Sequence, residues 1–113
     1  MTDCIFCKIA AGEIPADVVG STDEFIAFND ISPAAPVHRL VIPRRHIVSF
    51  DEIEQLGVGT SGRLLAFIAA TARAAGVAES GYRVITNVGP DSGQEVKHLH
   101  WHILGGRRLK GLG

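Results

Sequence analysis

The chain has almost no net charge: eleven lysines and arginines stand against twelve aspartates and glutamates, leaving −1 with neutral histidines. That balance excludes the broad basic field that draws in a nucleic-acid backbone. Cysteine is scarce, with two residues in 113. Two cysteines do not make the disulfide framework of a small secreted scaffold, and in a reducing compartment they read as thiols or metal ligands. No apolar run approaches the roughly 20 residues that a membrane-spanning helix needs. The opening Met1-Thr2-Asp3-Cys4 carries an acid where a secretory leader carries base, so a cytoplasmic protein is expected, binding neither nucleic acid nor membrane. Repeats and low-complexity tracts are absent too. What remains is 46% hydrophobic and 20% charged residues, a folding composition, in a length that suits one domain over residues 1–113.

Histidine is the residue placed with a pattern. His98, His100 and His102, three of the five, alternate with apolar residues in Lys97-His98-Leu99-His100-Trp101-His102-Ile103-Leu104. In a strand, alternate side chains share a face, so the imidazoles line one side while Leu99, Trp101 and Ile103 bury on the other. A helix would scatter the three rings over more than half its circumference. Period two therefore predicts a strand. Imidazole can be a nucleophile, acid, base or metal ligand, and it resists burial when charged. Three in a row are unfavourable unless each has a partner or a task.

Around this segment the chain reads as short elements. Ile5, Phe6 and Ile9, with Gly12 beyond them, predict a short amphipathic helix over residues 4–12. Val18–Ser21 and Glu24–Phe28 read as a hairpin, and Asn29 to Pro36 as a turn-rich connection. His38–Pro43 is a third strand, followed by the basic loop Arg44-Arg45-His46 and a helical turn over Asp51–Leu56. A long helix comes next, capped by Thr60 or Ser61 and ended by Gly76, with Leu64, Leu65, Ile68, Ala69 and Ala72 as its buried stripe. Tyr82–Val88 is a fourth strand, and the loop Gly89–Gln94 leads into the histidine strand. Five strands, two main helices and no βαβ alternation predict an α+β fold with an antiparallel sheet.

Single residues leave alternatives open. His38 is a packed core histidine or a support for the triad. Asp30 caps the Ser32-Pro33 turn or accepts hydrogen bonds from a sugar, and the Gly89–Gln94 loop is a turn or a cradle of backbone N–H groups. Cys4-x-x-Cys7 by itself is a zinc half-site, a redox pair or two small core residues.

The residues from His98 to Leu104 resemble the histidine triad (HIT) motif, in which three histidines alternate with apolar residues. Gly93-Gln94-Glu95-Val96 before it and Gly105-Gly106-Arg107 after it resemble the Hint-like branch, small nucleotide-binding nucleoside phosphoramidases. The likeness runs back through Asp30-Ile31-Ser32-Pro33 and Pro36-Val37-His38 to Leu40-Val41-Ile42-Pro43, nearly the whole chain. It implies a HIT-like fold, a five-stranded antiparallel sheet with two main helices, and pairing into a two-fold homodimer. It also implies cleavage of purine nucleoside monophosphate derivatives, the AMP type, through a nucleotidyl-histidine on His100. By the same resemblance His102 contacts phosphate and His38 supports the pair. Asp30 would hold the ribose, and Phe6, Ile9, Phe28, Asn29 and Ile31 would line the nucleoside slot. Asn87, Gly93, Gln94, Glu95 and Val96 would hold phosphate. Some prokaryotic members match Cys4, Cys7, His46 and His98, and these imply a structural Zn2+.

Glu95 is a departure, since relatives often carry serine there, and a carboxylate beside phosphate bears on the leaving-group step. Rival readings are dinucleoside polyphosphate hydrolysis, a nucleotide-binding scaffold without catalysis, and a metal site built from the triad itself. Gly105-Gly106-Arg107 favours the Hint-like branch over the polyphosphate hydrolases.

Overall fold

A computed structural model describes residues 3–111. Helix α1 spans Ile5–Ala10, and strands β1 (Val18–Ser21), β2 (Phe25–Asn29) and β3 (Val37–Pro43) follow. A 3-10 helix over Phe50–Leu56 leads into α2 (Val58–Ala74), then β4 (Tyr82–Ile85), a single turn at Pro90–Ser92, and β5 (Trp101–Gly105). The strands form one antiparallel sheet in the order β1-β2-β3-β5-β4, the α+β arrangement expected. No described helix is long and apolar enough to cross a membrane.

Both faces of the sheet centre are covered, which is why β2 reads as an unbroken apolar run. Phe25 and Ala27 turn toward α2 and join Val41, Leu64, Ile68, Leu99 and Ile103 in one core. Ile26 and Phe28 turn the other way and pack with Leu40, Ile42 and Phe6 of α1. The α1 helix starts where Cys4 caps it, its Sγ accepting from Cys7 N at 3.3 Å, and the chain leaves it through Gly12 at φ 75°.

Three expectations shift. Helix α2 is preceded by Gly57 (φ 83°) at the N-cap position, with no side-chain cap, and the Thr60 hydroxyl donates instead to Glu24 at 3.2 Å. Its buried stripe is Leu64, Ile68, Thr71 and Ala72, whereas Leu65, one residue round the helix from Leu64, is 59% exposed. Strand β4 stops at Ile85, and just beyond it the Thr86 hydroxyl donates to the carbonyl of His100 at 2.7 Å.

The histidine segment keeps its two-faced character but enters the ladder late. Only Trp101 onward is paired as strand, and Leu99 N–H donates instead to Ile47 O at 2.7 Å. β5 ends at Gly105, and Gly106 sits at φ 91°, where an added Cβ would lie 2.9 Å from Pro36 Cβ. Gly106→Ala is expected to destabilise the fold by about 1–3 kcal/mol, read as a lower urea midpoint at unchanged m-value. A wild-type midpoint would show that the backbone there relaxes freely.

Candidate active site and metal cluster

Each histidine of the segment has one ring nitrogen fixed by the backbone or a neighbouring ring. His98 is fully buried, and its Nε2–H donates to the carbonyl of Pro43 at 2.8 Å, leaving Nδ1 as a bare lone pair. His100 is buried too, and its Nδ1–H donates to the His98 carbonyl at 2.7 Å, leaving Nε2 unprotonated. That nitrogen is free to attack an electrophile.

His102 is fixed through His38. The register pairs His38 with Leu104 and Leu40 with His102, so the two histidines are diagonal neighbours on one face. Ala34 N–H donates to His38 Nδ1 at 2.9 Å, so the His38 proton sits on Nε2. That Nε2–H lies 2.9 Å from His102 Nδ1 and 3.5 Å from Asp30 Oδ2. Donating to His102 Nδ1, it leaves the His102 proton on Nε2. Burial, then the neighbouring His100 and His38, push the His102 pKa down to about 4. Burial also lowers that of His38, against the pull of Asp30. At neutral pH His38 and His102 are therefore uncharged, with assigned donor and acceptor nitrogens.

A cavity of about 370 Å³ opens over His100 and His102, lined by Phe6, Asp30, Asn87, Gly93, Gln94, Glu95 and Val96 of the expected residues. Ser32 and Leu40 line it as well and were not anticipated, although Leu40 shares its strand face with His38. Phe28 is buried beneath Phe6, with ring centroids 5.7 Å apart, and Ile9 packs in the same core. Asn29 donates its amide to Asp17 at 2.8 Å, and Ile31 stands 96% exposed, so neither is gathered to the cavity. Asp30 plays its local part, Oδ1 accepting from Ser32 N–H at 2.8 Å, while Oδ2 remains near His38. Gln94 turns its amide inward to hold the loop: it donates to Val48 O at 2.8 Å and Val96 O at 3.1 Å, and accepts from Gly89 N–H at 2.9 Å.

Behind the triad lies a second constellation. Cys4, Cys7, His46 and His98 converge from α1, the loop after β3 and the histidine segment, with donor atoms all within 4.8 Å. Nδ1 of His98 is 3.3 Å from Cys4 Sγ, 3.5 Å from Cys7 Sγ and 3.1 Å from His46 Nδ1, while Cys7 Sγ is 3.3 Å from His46 Nδ1. Zinc-like bond lengths at tetrahedral angles place N···N about 3.3 Å and N···S about 3.6 Å apart, so the donors fit one cation. Burial, then Cys4, push the Cys7 thiol up to about 11, as expected for a thiol that needs a cation to ionise. The cluster can bind a metal.

The HIT domain family profile matches residues 11–109. A HIT-like protein of Synechococcus elongatus is 48% identical over 95% of this chain and 93% of its own length. The purine nucleoside phosphoramidase of Escherichia coli is 44% identical over 95% of this chain and 90% of its own. Among solved structures, a histidine triad protein from Clostridium difficile superposes with TM-score 0.92 at 45% identity, covering 100% of this chain and 98% of that one.

The depressed His102 pKa has a consequence for stability. The unfolded ring charges below its ordinary 6.5 while the folded ring stays neutral to about 4. The cost is therefore absent above 6.5, grows as pH falls, and is complete below about 4. His102→Asn is expected to flatten the fall in unfolding free energy between pH 7 and 4.5 by about 1–2 kcal/mol, allowing for partial exposure. Identical pH slopes for the two proteins would mean that His102 takes up its proton in the folded chain as readily as in the unfolded one. Acid loss of metal acts on both and cancels in the comparison.

Proposed function

The chain belongs to the HIT domain family, and from that premise we propose that it is a nucleotide-binding hydrolase that splits purine nucleoside phosphoramidates at phosphorus. The observation that carries this reading is the orientation of His100, a buried, cavity-lining ring whose Nδ1–H is held by a carbonyl, which leaves Nε2 as the nitrogen available to a substrate. Such a ring attacks phosphorus without first losing a proton. A P–N(His100) bond forms as the P–N bond to the leaving amine breaks, and the amine departs after taking up a proton. Water then attacks the nucleotidyl-histidine, releasing the nucleoside monophosphate and restoring the ring.

His102 Nε2–H donates to a phosphoryl oxygen as charge gathers there, and His38 holds the donor in that tautomer. Asp30 accepts from ribose hydroxyls, and Phe6 and Leu40 present apolar surface to the nucleoside. Glu95 lies at the cavity where a proton for the amine is needed. None of the cavity-lining residues is a lysine or arginine. A bridging polyphosphate would want such cations, so the lining favours a singly charged phosphoramidate over a dinucleoside polyphosphate.

The metal is read as zinc, structural in role, since four protein donors leave no position for water. When bound, it would supply charge to the two thiolates and a cross-link between α1 and the sheet. Pairing of two chains is read at the open edge β4, where Tyr82 is 37% and Val84 39% exposed on the α2 side of the sheet. Nearby Trp101 Nε1 is buried without an acceptor among the described residues. Thiols of this kind suit the cytoplasm, and the near-neutral charge gives no hold on nucleic acid.

Two tests follow. His100→Ala is expected to leave less than about 1% of adenosine phosphoramidate turnover while AMP binding stays within about tenfold. Turnover above a few per cent would remove His100 from the chemistry. Metal analysis is expected to find about one zinc per chain, lost in Cys4→Ser together with several degrees of Tm. Full zinc in a Cys4→Ser, Cys7→Ser protein would move the metal to another site.

A further inference from the structure

Helix α1 does more than carry two thiols. Phe6, between Cys4 and Cys7, points to the other side, where its ring meets His98 edge-on with centroids 6.0 Å apart. It meets His100 in the same way at 5.1 Å, the planes 85° apart, and it lines the cavity. A helix of six residues does not hold its own shape in water. The position of this one rests on the buried Phe6, on Arg44 donating to Ala10 O at 2.7 Å, and on whatever ties Cys4 and Cys7 down.

His98 is shared between the two sites as well. Its ring Nδ1 belongs to the metal cluster, its Nε2–H is held by Pro43, and its main-chain oxygen accepts the Nδ1–H of His100. Movement of the ring therefore reaches the carbonyl that orients the attacking nitrogen.

We propose that the metal-binding cluster is a positioning device for the nucleophile: a divalent cation on Cys4, Cys7, His46 and His98 sets the attack geometry of His100 through the His98 carbonyl and the Phe6 ring. The proposal rests on the reading of His100 as nucleophile. Without a cation, the bare Nδ1 of His98 faces His46 Nδ1 at 3.1 Å and two sulfurs at 3.3 and 3.5 Å. Nothing else in the cluster holds these four donors at one point, so α1 and the His98 ring lose a shared anchor. A displacement of about 1 Å at a reacting group can cost about a hundredfold in rate. Asp30 and Asn87, in the loops after β2 and β4, lie outside the segments that carry cluster ligands, so their contacts are kept and only the Phe6 side of the nucleoside slot shifts. The signature is loss of kcat with little change in KM. Phe6 and His98 are thus positioning residues.

The experiment compares metal-loaded protein with protein stripped by chelator, the stripped sample shown to be folded by circular dichroism. The first readout is solvent exchange of the His100 ring N–H in 15N-histidine-labelled protein, which needs no substrate. The second is kcat and KM for adenosine phosphoramidate. Stripping is expected to speed exchange about tenfold or more and to lower kcat by about ten- to a hundredfold, with KM moving less than about threefold. Unchanged exchange and kcat in folded, metal-free protein overturn the proposal, whatever happens to Tm. If stripping unfolds the chain, Phe6→Leu decides, since it keeps the cluster and an apolar residue at that position. Faster exchange at full metal content supports the proposal, and wild-type exchange overturns it. Because exchange is read without substrate, a metal-loaded wild type with no phosphoramidate turnover would sink the functional reading separately.

Discussion

A strand gives successive side chains to opposite faces, and the segment from His98 to Leu104 needs both faces at once. Leu99 and Ile103 are buried in the core under α2, and this burial fixes the register of the segment. The three imidazoles are then held on the other face without needing contacts of their own to choose it. A slip of one residue would put Leu99 and Ile103 among the histidines and the rings into an apolar core, so the packing energy that folds the sheet also enforces the site geometry. The opposite layer closes the arrangement: α1, Ile26, Phe28, Leu40 and Ile42 make a dry floor against which Phe6 and His100 pack.

Burial of histidines that carry out polar chemistry demands that every ring nitrogen be assigned. The backbone does most of this. Carbonyls of Pro43 and His98 take the protons of His98 and His100, and the amide of Ala34 sets His38. Since none of these partners titrates, the tautomers of His98, His100 and His38 do not depend on side chains that could change charge, and only His102 takes its tautomer from another ring. The same burial keeps His102 neutral, which suits an N–H donor facing a phosphoryl group better than a cation that would have to be desolvated. A chain of this size has few residues to spare for a rigid site, and a metal bound by the thiols and imidazoles behind the triad would add rigidity that its core alone does not supply.

Much of this was legible in the sequence because it follows from local periodicity. The alternation at 98–104 identified the two faces, and Ile5, Phe6 and Ile9 before Gly12 identified α1. What failed to show did so for tertiary reasons. Leu65 carries the right residue type at a position pointing outward, and periodicity cannot separate it from Leu64 without knowing where the sheet lies. Thr60 has cap chemistry, but Glu24 from β2's approach competes for its hydroxyl. β4 ends early, and the partner that Thr86 finds beyond it, a carbonyl of another segment, is not visible in the sequence. Gln94 lines the cavity, but its further part as a loop brace depends on Val48, far away in the chain. For His38 the deciding facts are the β3–β5 register and the amide of Ala34, and neither is visible in the sequence. Cys4, Cys7, His46 and His98 are spread over the chain, and only the fold brings them to one point.

The central claim is that cleavage passes through a covalent bond between phosphorus and His100. Two in-line displacements in succession return phosphorus to its starting configuration, whereas direct attack by water inverts it. The most direct measurement is hydrolysis of a nucleoside phosphorothioamidate of known chirality in isotopically labelled water, with the product configuration read by 31P NMR. Retention is the result this account predicts. Net inversion would contradict it and leave His100 as a base that activates water.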